Sequence, residues 1–96
     1  MRPSTALNTY RDQIREIVLA HHTVNARVFG SVIRGEDTDT SDLDLLVKPT
    51  PATSLMGIAA IRLELKALLG VNVDVVTSNA LPDSFRDQVV SEAVPV

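Results

Sequence analysis

The chain is 96 residues long, 45% hydrophobic and 22% charged, which suits one small soluble domain with its own core and excludes collagen-like, low-complexity and disordered classes. It has no cysteine, so a disulfide framework, a thiolate metal site and a cysteine nucleophile are all excluded, and a reducing, cytoplasmic setting is expected. The formal charge of −3 and the three aromatics Tyr10, Phe29 and Phe85 argue against a phosphate-tracking basic face or a base-stacking platform, so no direct nucleic-acid binding is expected.

The polar start Met1-Arg2-Pro3-Ser4-Thr5 lacks the charged and apolar regions of a signal peptide, and no apolar run reaches the ~18 residues of a membrane helix. Ser4 is placed to cap a helix over about residues 5 to 21, in which Leu7, Tyr10, Ile14, Ile17, Val18 and His21 recur on one stripe. His21 and His22 then sit at the helix end, where the dipole favours them. A first strand follows over about 25 to 29 and runs into Gly30-Ser31, with one helical turn at 31 to 34 and then a polar loop to Ser41.

Leu43, Leu45 and Val47 alternate with Asp42, Asp44 and Leu46, a second strand over about 42 to 48 stopped by Pro49 and Pro51. Thr53 or Ser54 can cap the next helix, over about 54 to 69, which carries an apolar stripe from Leu55 to Leu69 and closes at Gly70. Val71, Val73, Val75 and Val76 form a third strand with Asn72 and Asp74 on the alternate face. A short helix is expected after Pro82, and Val94-Pro95-Val96 reads as a terminal extended segment. No linker, internal repeat or second domain is visible, so residues 1 to 96 read as one α/β (α+β) domain with a mixed sheet packed against helices.

Five of the chain's twelve acids, Glu36, Asp37, Asp39, Asp42 and Asp44, fall within nine residues that contain no Lys or Arg. Asp37 and Asp39 read as turn formers that extend a negative field. Asp42 and Asp44, at i and i+2 of one strand, face the same way roughly 6.5 to 7 Å apart. If the third strand pairs beside them, Asp74 completes a three-carboxylate cluster. Such a cluster repels itself and is relieved by hard divalent cations, with Mg²⁺ preferring a few carboxylates plus substrate phosphates. Gly30 lets backbone approach an anion closely, and the Ser31 hydroxyl and turn amides can bind phosphate oxygens. Arg34, one turn on, offers a fork of donors to phosphate, with an ion pair to Glu36 or Asp37 as its competing use.

Gly30-Ser31, ten residues, then Asp42-Leu43-Asp44, set within Phe29 to Gly35 and Ser41 to Val47, resembles the signature of the DNA polymerase beta-type nucleotidyltransferase superfamily. The small size and Val73-Asp74-Val75-Val76 resemble in particular its minimal nucleotidyltransferases, the antitoxin half of HEPN/MNT toxin-antitoxin pairs. The resemblance spans nearly the whole chain. It implies an α/β domain that transfers AMP from ATP, with two Mg²⁺ ions, to a tyrosine of a HEPN ribonuclease toxin and silences it, in a hetero-oligomer with that toxin. By position, Asp42, Asp44 and Asp74 are then the catalytic and metal-binding residues, Asp74 also helping to deprotonate the acceptor. Gly30, Ser31 and Arg34 bind the nucleotide. Glu36 and Asp37 add negative charge that this chemistry does not need. Some relatives neutralise by binding alone, which stands as the alternative. Transfer to a small molecule, as in aminoglycoside-modifying relatives, calls for an extra substrate domain for which the chain has no room.

Overall fold

A computed structural model describes residues 1–96. It contains helix α1 (Pro3–Thr9), α2 (Arg11–Ala20), strand β1 (Thr23–Phe29), α3 (Ser31–Arg34), β2 (Leu43–Pro49), α4 (Leu55–Leu69), β3 (Val73–Val76), a 3-10 turn (Ser78–Ala80), α5 (Asp83–Glu92) and β4 (Val94–Pro95). The strands form one sheet in the order β3-β2-β1-β4. β1 is antiparallel to β2 and β4, whereas β2 and β3 are parallel and joined through α4. This is the expected mixed α+β sheet.

The helix expected over 5 to 21 is two helices, broken at Tyr10 (φ −116°, ψ 26°) and starting earlier, at Pro3. Around the break Thr9 Oγ1 donates to the Thr5 carbonyl at 2.9 Å, and Arg11 reaches back to Asn8 Oδ1 at 2.8 Å. Ser4 does not cap α1. Its backbone N–H instead donates to Asp37 Oδ2 at 2.9 Å, so the cap arrives from the distant acidic loop.

β1 begins at Thr23, two residues sooner than expected, because the buried Thr23 hydroxyl donates to the Val18 carbonyl at 2.9 Å and ties the strand to α2. His22 and Asn25 have positive φ (65° and 56°), and the β1–β2 register slips between Val24 and Arg27. Asn25, tolerant of the left-handed region, supplies this bulge. α4 has the expected bounds: Ser54 Oγ accepts from Gly57 N–H at 3.0 Å, and Gly70 takes φ 71° after the last turn. β3 starts at Val73 rather than at 71, and the expected terminal segment is β4, paired to Arg27 and Val28 of β1.

The two faces of the sheet differ in thickness. Val28, Leu43, Leu45, Val47 and Val73 point into the main core with Leu7, Ile14, Val18, Ile61 and Leu65 of α1, α2 and α4. On the other face a small cluster of Leu46, Leu81 and Val89 lies under α5. Alternation along β2 therefore turns Asp44 away from the thick core and toward the thinly covered side. No helix is long and apolar enough to cross a membrane.

Candidate functional site

Asp44 and Asp74 are direct partners in the parallel β2–β3 register, and Phe29 stands opposite Asp44 on β1. Gly30 follows Phe29 with φ 79° and ψ −149°, and a Cβ built on it would lie 2.3 Å from Asp44 Oδ2. Glycine is thus required there twice, by the backbone and by the carboxylate that fills the space of its side chain. The chain then makes the single expected turn α3, held by Ile33 N–H and Arg34 N–H to the Gly30 carbonyl at 3.1 and 3.2 Å. Gly35 closes it at φ 72°. So the three carboxyl positions and the Gly30-Ser31 turn, far apart in sequence, meet at one end of the sheet.

The electrostatics of the site are unfavourable in the chain alone. Desolvation raises the Asp44 pKa to about 6, with further upward pushes from the charges of Asp74 and Asp42, and the Arg34 guanidinium opposes them in part. Asp42 precedes β2 and is half-buried, and Asp74 is exposed. No three His, Asp or Glu side chains close into a ready-made metal cage. The donor set nevertheless suits a hard divalent cation: carboxylate oxygens from two strands, one of them partly desolvated and raised in pKa by its acidic neighbours, a strain that a cation's charge would relieve.

Arg34 is half exposed, and its competing use is realised. Nε donates to Glu36 Oε2 at 3.3 Å and Nη1 lies 3.9 Å from Glu92 Oε2. Glu36 therefore has a partner. Asp37 is no turn former: it is buried, accepts from Ser4 N–H and, at 3.1 Å, from Arg2 Nη2. The Ser4 N–H is the main reason its pKa lies below the usual carboxylate value, burial opposing it and Arg2 assisting. Asp39 stays exposed. His21 pairs through Nε2 with Glu64 Oε2 on α4, and its neighbour His22 accepts at its carbonyl from Thr50 Oγ1 at 2.6 Å, so both act in the scaffold.

Sequence reasoning missed a cleft of about 190 Å³ bounded by Asp42, Arg62, Leu63, Lys66, Asn72, Val73 and Asp74. The sequence shows Arg62 and Lys66 at i, i+4 on α4, but nothing in it places them beside Asp42 and Asp74. A cleft of about 230 Å³ between α2, β1 and β4 is somewhat larger but has no acidic side chain on its wall. Chemistry, not size, singles out the former.

The family model "Polymerase beta, Nucleotidyltransferase" matches residues 12–96. The protein MJ0435 of Methanocaldococcus jannaschii, named as a protein adenylyltransferase, is 37% identical over 90 residues, covering 94% of this chain and 97% of its own. Protein adenylyltransferase MntA of Thermococcus cleftensis is 39% identical over 69 residues, covering 72% of this chain and 70% of its own. A solved minimal nucleotidyltransferase superposes with a TM-score of 0.87 at 42% identity, covering 100% of this chain and 97% of that one. A toxin-antitoxin assembly solved with AMP-PNP shares the fold at a TM-score of 0.74 and 20% identity, over 88% of this chain and 69% of that one.

Proposed function

Since the chain belongs to the polymerase beta nucleotidyltransferase family, we propose that it is a protein adenylyltransferase that moves AMP from ATP to a tyrosine hydroxyl of a HEPN-family toxin and so acts as its antitoxin in the cytoplasm. The observation that carries this reading is the Asp44–Asp74 register pair beside the Gly30-Ser31 turn. The protein adenylyltransferase names of relatives at 37% and 39% identity support it, and the likeness of the signature to minimal nucleotidyltransferase antitoxins points to the HEPN partner.

In the transfer the acceptor oxygen bonds to the α-phosphorus as the bond to the β-phosphate bridging oxygen breaks, so pyrophosphate leaves and the hydroxyl proton goes to a base. Gly30, by leaving room beside the turn, and Ser31, through its hydroxyl, hold the triphosphate. Arg34 assists by turning from Glu36 and Glu92 to the phosphates. Asp74, the exposed member of the set, faces the acceptor and helps take its proton. Asp42, Asp44 and Asp74 would hold Mg²⁺, two ions on this reading, whose charge neutralises the phosphates and the carboxylates together.

Incubation with ATP, Mg²⁺ and a HEPN-family toxin should add the mass of AMP to a toxin tyrosine, and Asp42→Asn with Asp44→Asn should abolish the addition while the melting curve persists. Absence of an adduct with the wild type overturns transfer. If the double variant still protects cells and co-purifies with toxin, neutralisation proceeds by binding alone.

A further inference from the structure

The cleft on the β3 side of the carboxylates has a wall that the transfer chemistry leaves without a task. Arg62 and Lys66 stand one turn apart on α4, both exposed, and neither enters any of the chain's ion pairs. Two free cations beside Asp42 and Asp74 gain nothing from each other and are placed to meet an anion from outside. Leu63, between them and 59% exposed, adds an apolar spot to the same wall. Met56 and Leu55, in the first turn of the same helix, are also exposed, at 85% and 87%.

The position of the Gly30-Ser31 turn decides between two anions, a nucleotide phosphate and a protein carboxylate. That turn follows β1, whereas the cleft lies between α4 and β3, with β2 and Asp44 separating them. Strands are spaced about 4.8 Å, so the two sides lie roughly 10 Å apart. A phosphate chain seated at the turn leaves the cleft on the opposite side of the carboxylates, the side from which an in-line acceptor must come.

We propose, on the basis of the transferase reading above, that the Arg62/Leu63/Lys66 cleft is the acceptor-docking surface and takes an acidic segment of the protein that carries the acceptor hydroxyl. Side chains at i and i+4 of a helix are about 6 Å apart at Cβ, which matches carboxylates two residues apart on an extended segment, about 6.5 Å. Leu63 packs against the acceptor's ring, and Arg62 and Lys66 set its register by charge. Charge across such a rim selects partners more than it adds affinity.

The test uses two fluorescein-labelled tyrosine peptides, one with Glu and one with Lys flanking the tyrosine, titrated with the full chain and read by anisotropy. The wild type should bind the Glu peptide roughly tenfold more tightly than the Lys peptide, the preference fading as salt rises. Arg62→Glu with Lys66→Glu should reverse the preference, and Arg62→Gln with Lys66→Gln should erase it, with melting curves as the check on folding. Equal binding, a preference for Lys, no binding of the Glu peptide, or a preference that survives charge reversal would each overturn the proposal. So would loss of ATP affinity in the Gln variant, which would give the cleft to the triphosphate. AMP incorporation into a HEPN-family toxin, read by mass, tests the transferase separately. Acid-selective binding without incorporation leaves the cleft and removes the enzyme, and incorporation without charge selectivity does the reverse.

Discussion

Asp37 and Asp44 are the same residue type, seven positions apart in one acid-rich stretch, and the fold treats them in opposite ways. Asp37 is buried against donors, the Ser4 N–H and Arg2, and its pKa is held down. Asp44 is placed half-buried against acceptors, with Asp74 opposite and Asp42 beside it, and its pKa is raised to about 6. The first arrangement is complete within the chain and stabilises it. The second is incomplete within the chain and becomes favourable only when positive charge is supplied from outside, which is the physical mark of a site rather than a scaffold.

The contrast is sharpened most by removing the Asp44 charge. Asp44→Asn should lower AMP transfer on the order of a thousandfold, about 4 kcal/mol in the barrier, while raising the melting temperature of the metal-free chain at neutral pH. A single variant that loses activity and gains stability, measured by mass spectrometry and calorimetric melting, separates site from scaffold. If both fall together, the contrast fails.

Gly30→Ala comes next. It asks a positive-φ position to carry a Cβ against the Asp44 carboxylate, which should destabilise by about 3 kcal/mol and displace that carboxylate, so transfer falls as well. Gly35 also has positive φ but open space around its Cβ position, so Gly35→Ala should show in a urea titration a distinctly smaller loss. Equal losses would mean that the carboxylate is not what fills the space at Gly30.

Asp37→Ala probes the other half of the comparison. It leaves the Ser4 N–H without its acceptor and Arg2 without its partner, a loss of about 2 kcal/mol, or roughly 10 °C in melting temperature. Transfer at a temperature well below the melting point should stay near the wild-type rate. A selective loss of activity with unchanged stability would place Asp37 in the chemistry instead.

The smallest effect is in the pH profile of the metal-free chain, where the two acids act with opposite sign. Asp44 binds its proton more tightly when folded, so its contribution favours the folded state fully below about pH 4 and is lost as pH rises through about 6. Because the group is only half-buried, this is worth on the order of 1 kcal/mol after solvent screening. Asp37 binds its proton less tightly when folded, so its contribution is present above its ordinary value of 3.8 and is lost as pH falls below it. Asp44→Asn should remove the decline between pH 4 and 6, and Asp37→Asn should flatten the acid limb below it. Melting curves across that range check both signs.

Period and punctuation made most of the elements readable. Leu43, Leu45 and Val47 placed Asp44 on the face away from the main core, and Ser54 and Gly70 bounded α4. The break at Tyr10 was harder to read, because the apolar stripe runs on through Leu7, Tyr10 and Ile14 as if the helix were continuous. Long-range partners were beyond reach. That Asp37 caps α1 depends on Arg2 and Ser4 arriving from 35 and 33 residues away, and no spacing within the acidic stretch announces it. The same holds for Arg62 and Lys66, which look like a solvated helix face until the crossover brings α4 beside Asp42 and Asp74. The nearness of Asp74 to Asp44 was readable only as a condition on strand pairing, and the parallel register meets that condition.

The most direct measurement is calorimetric titration of the metal-free chain with ATP, with and without Mg²⁺, for the wild type and for Asp42→Asn with Asp44→Asn. The wild type should bind ATP in a Mg²⁺-dependent manner with release of a proton near pH 6, and the double variant should show neither. Binding that is indifferent to Mg²⁺, or that survives in the double variant, would contradict a site built on the carboxylates of β2 and β3.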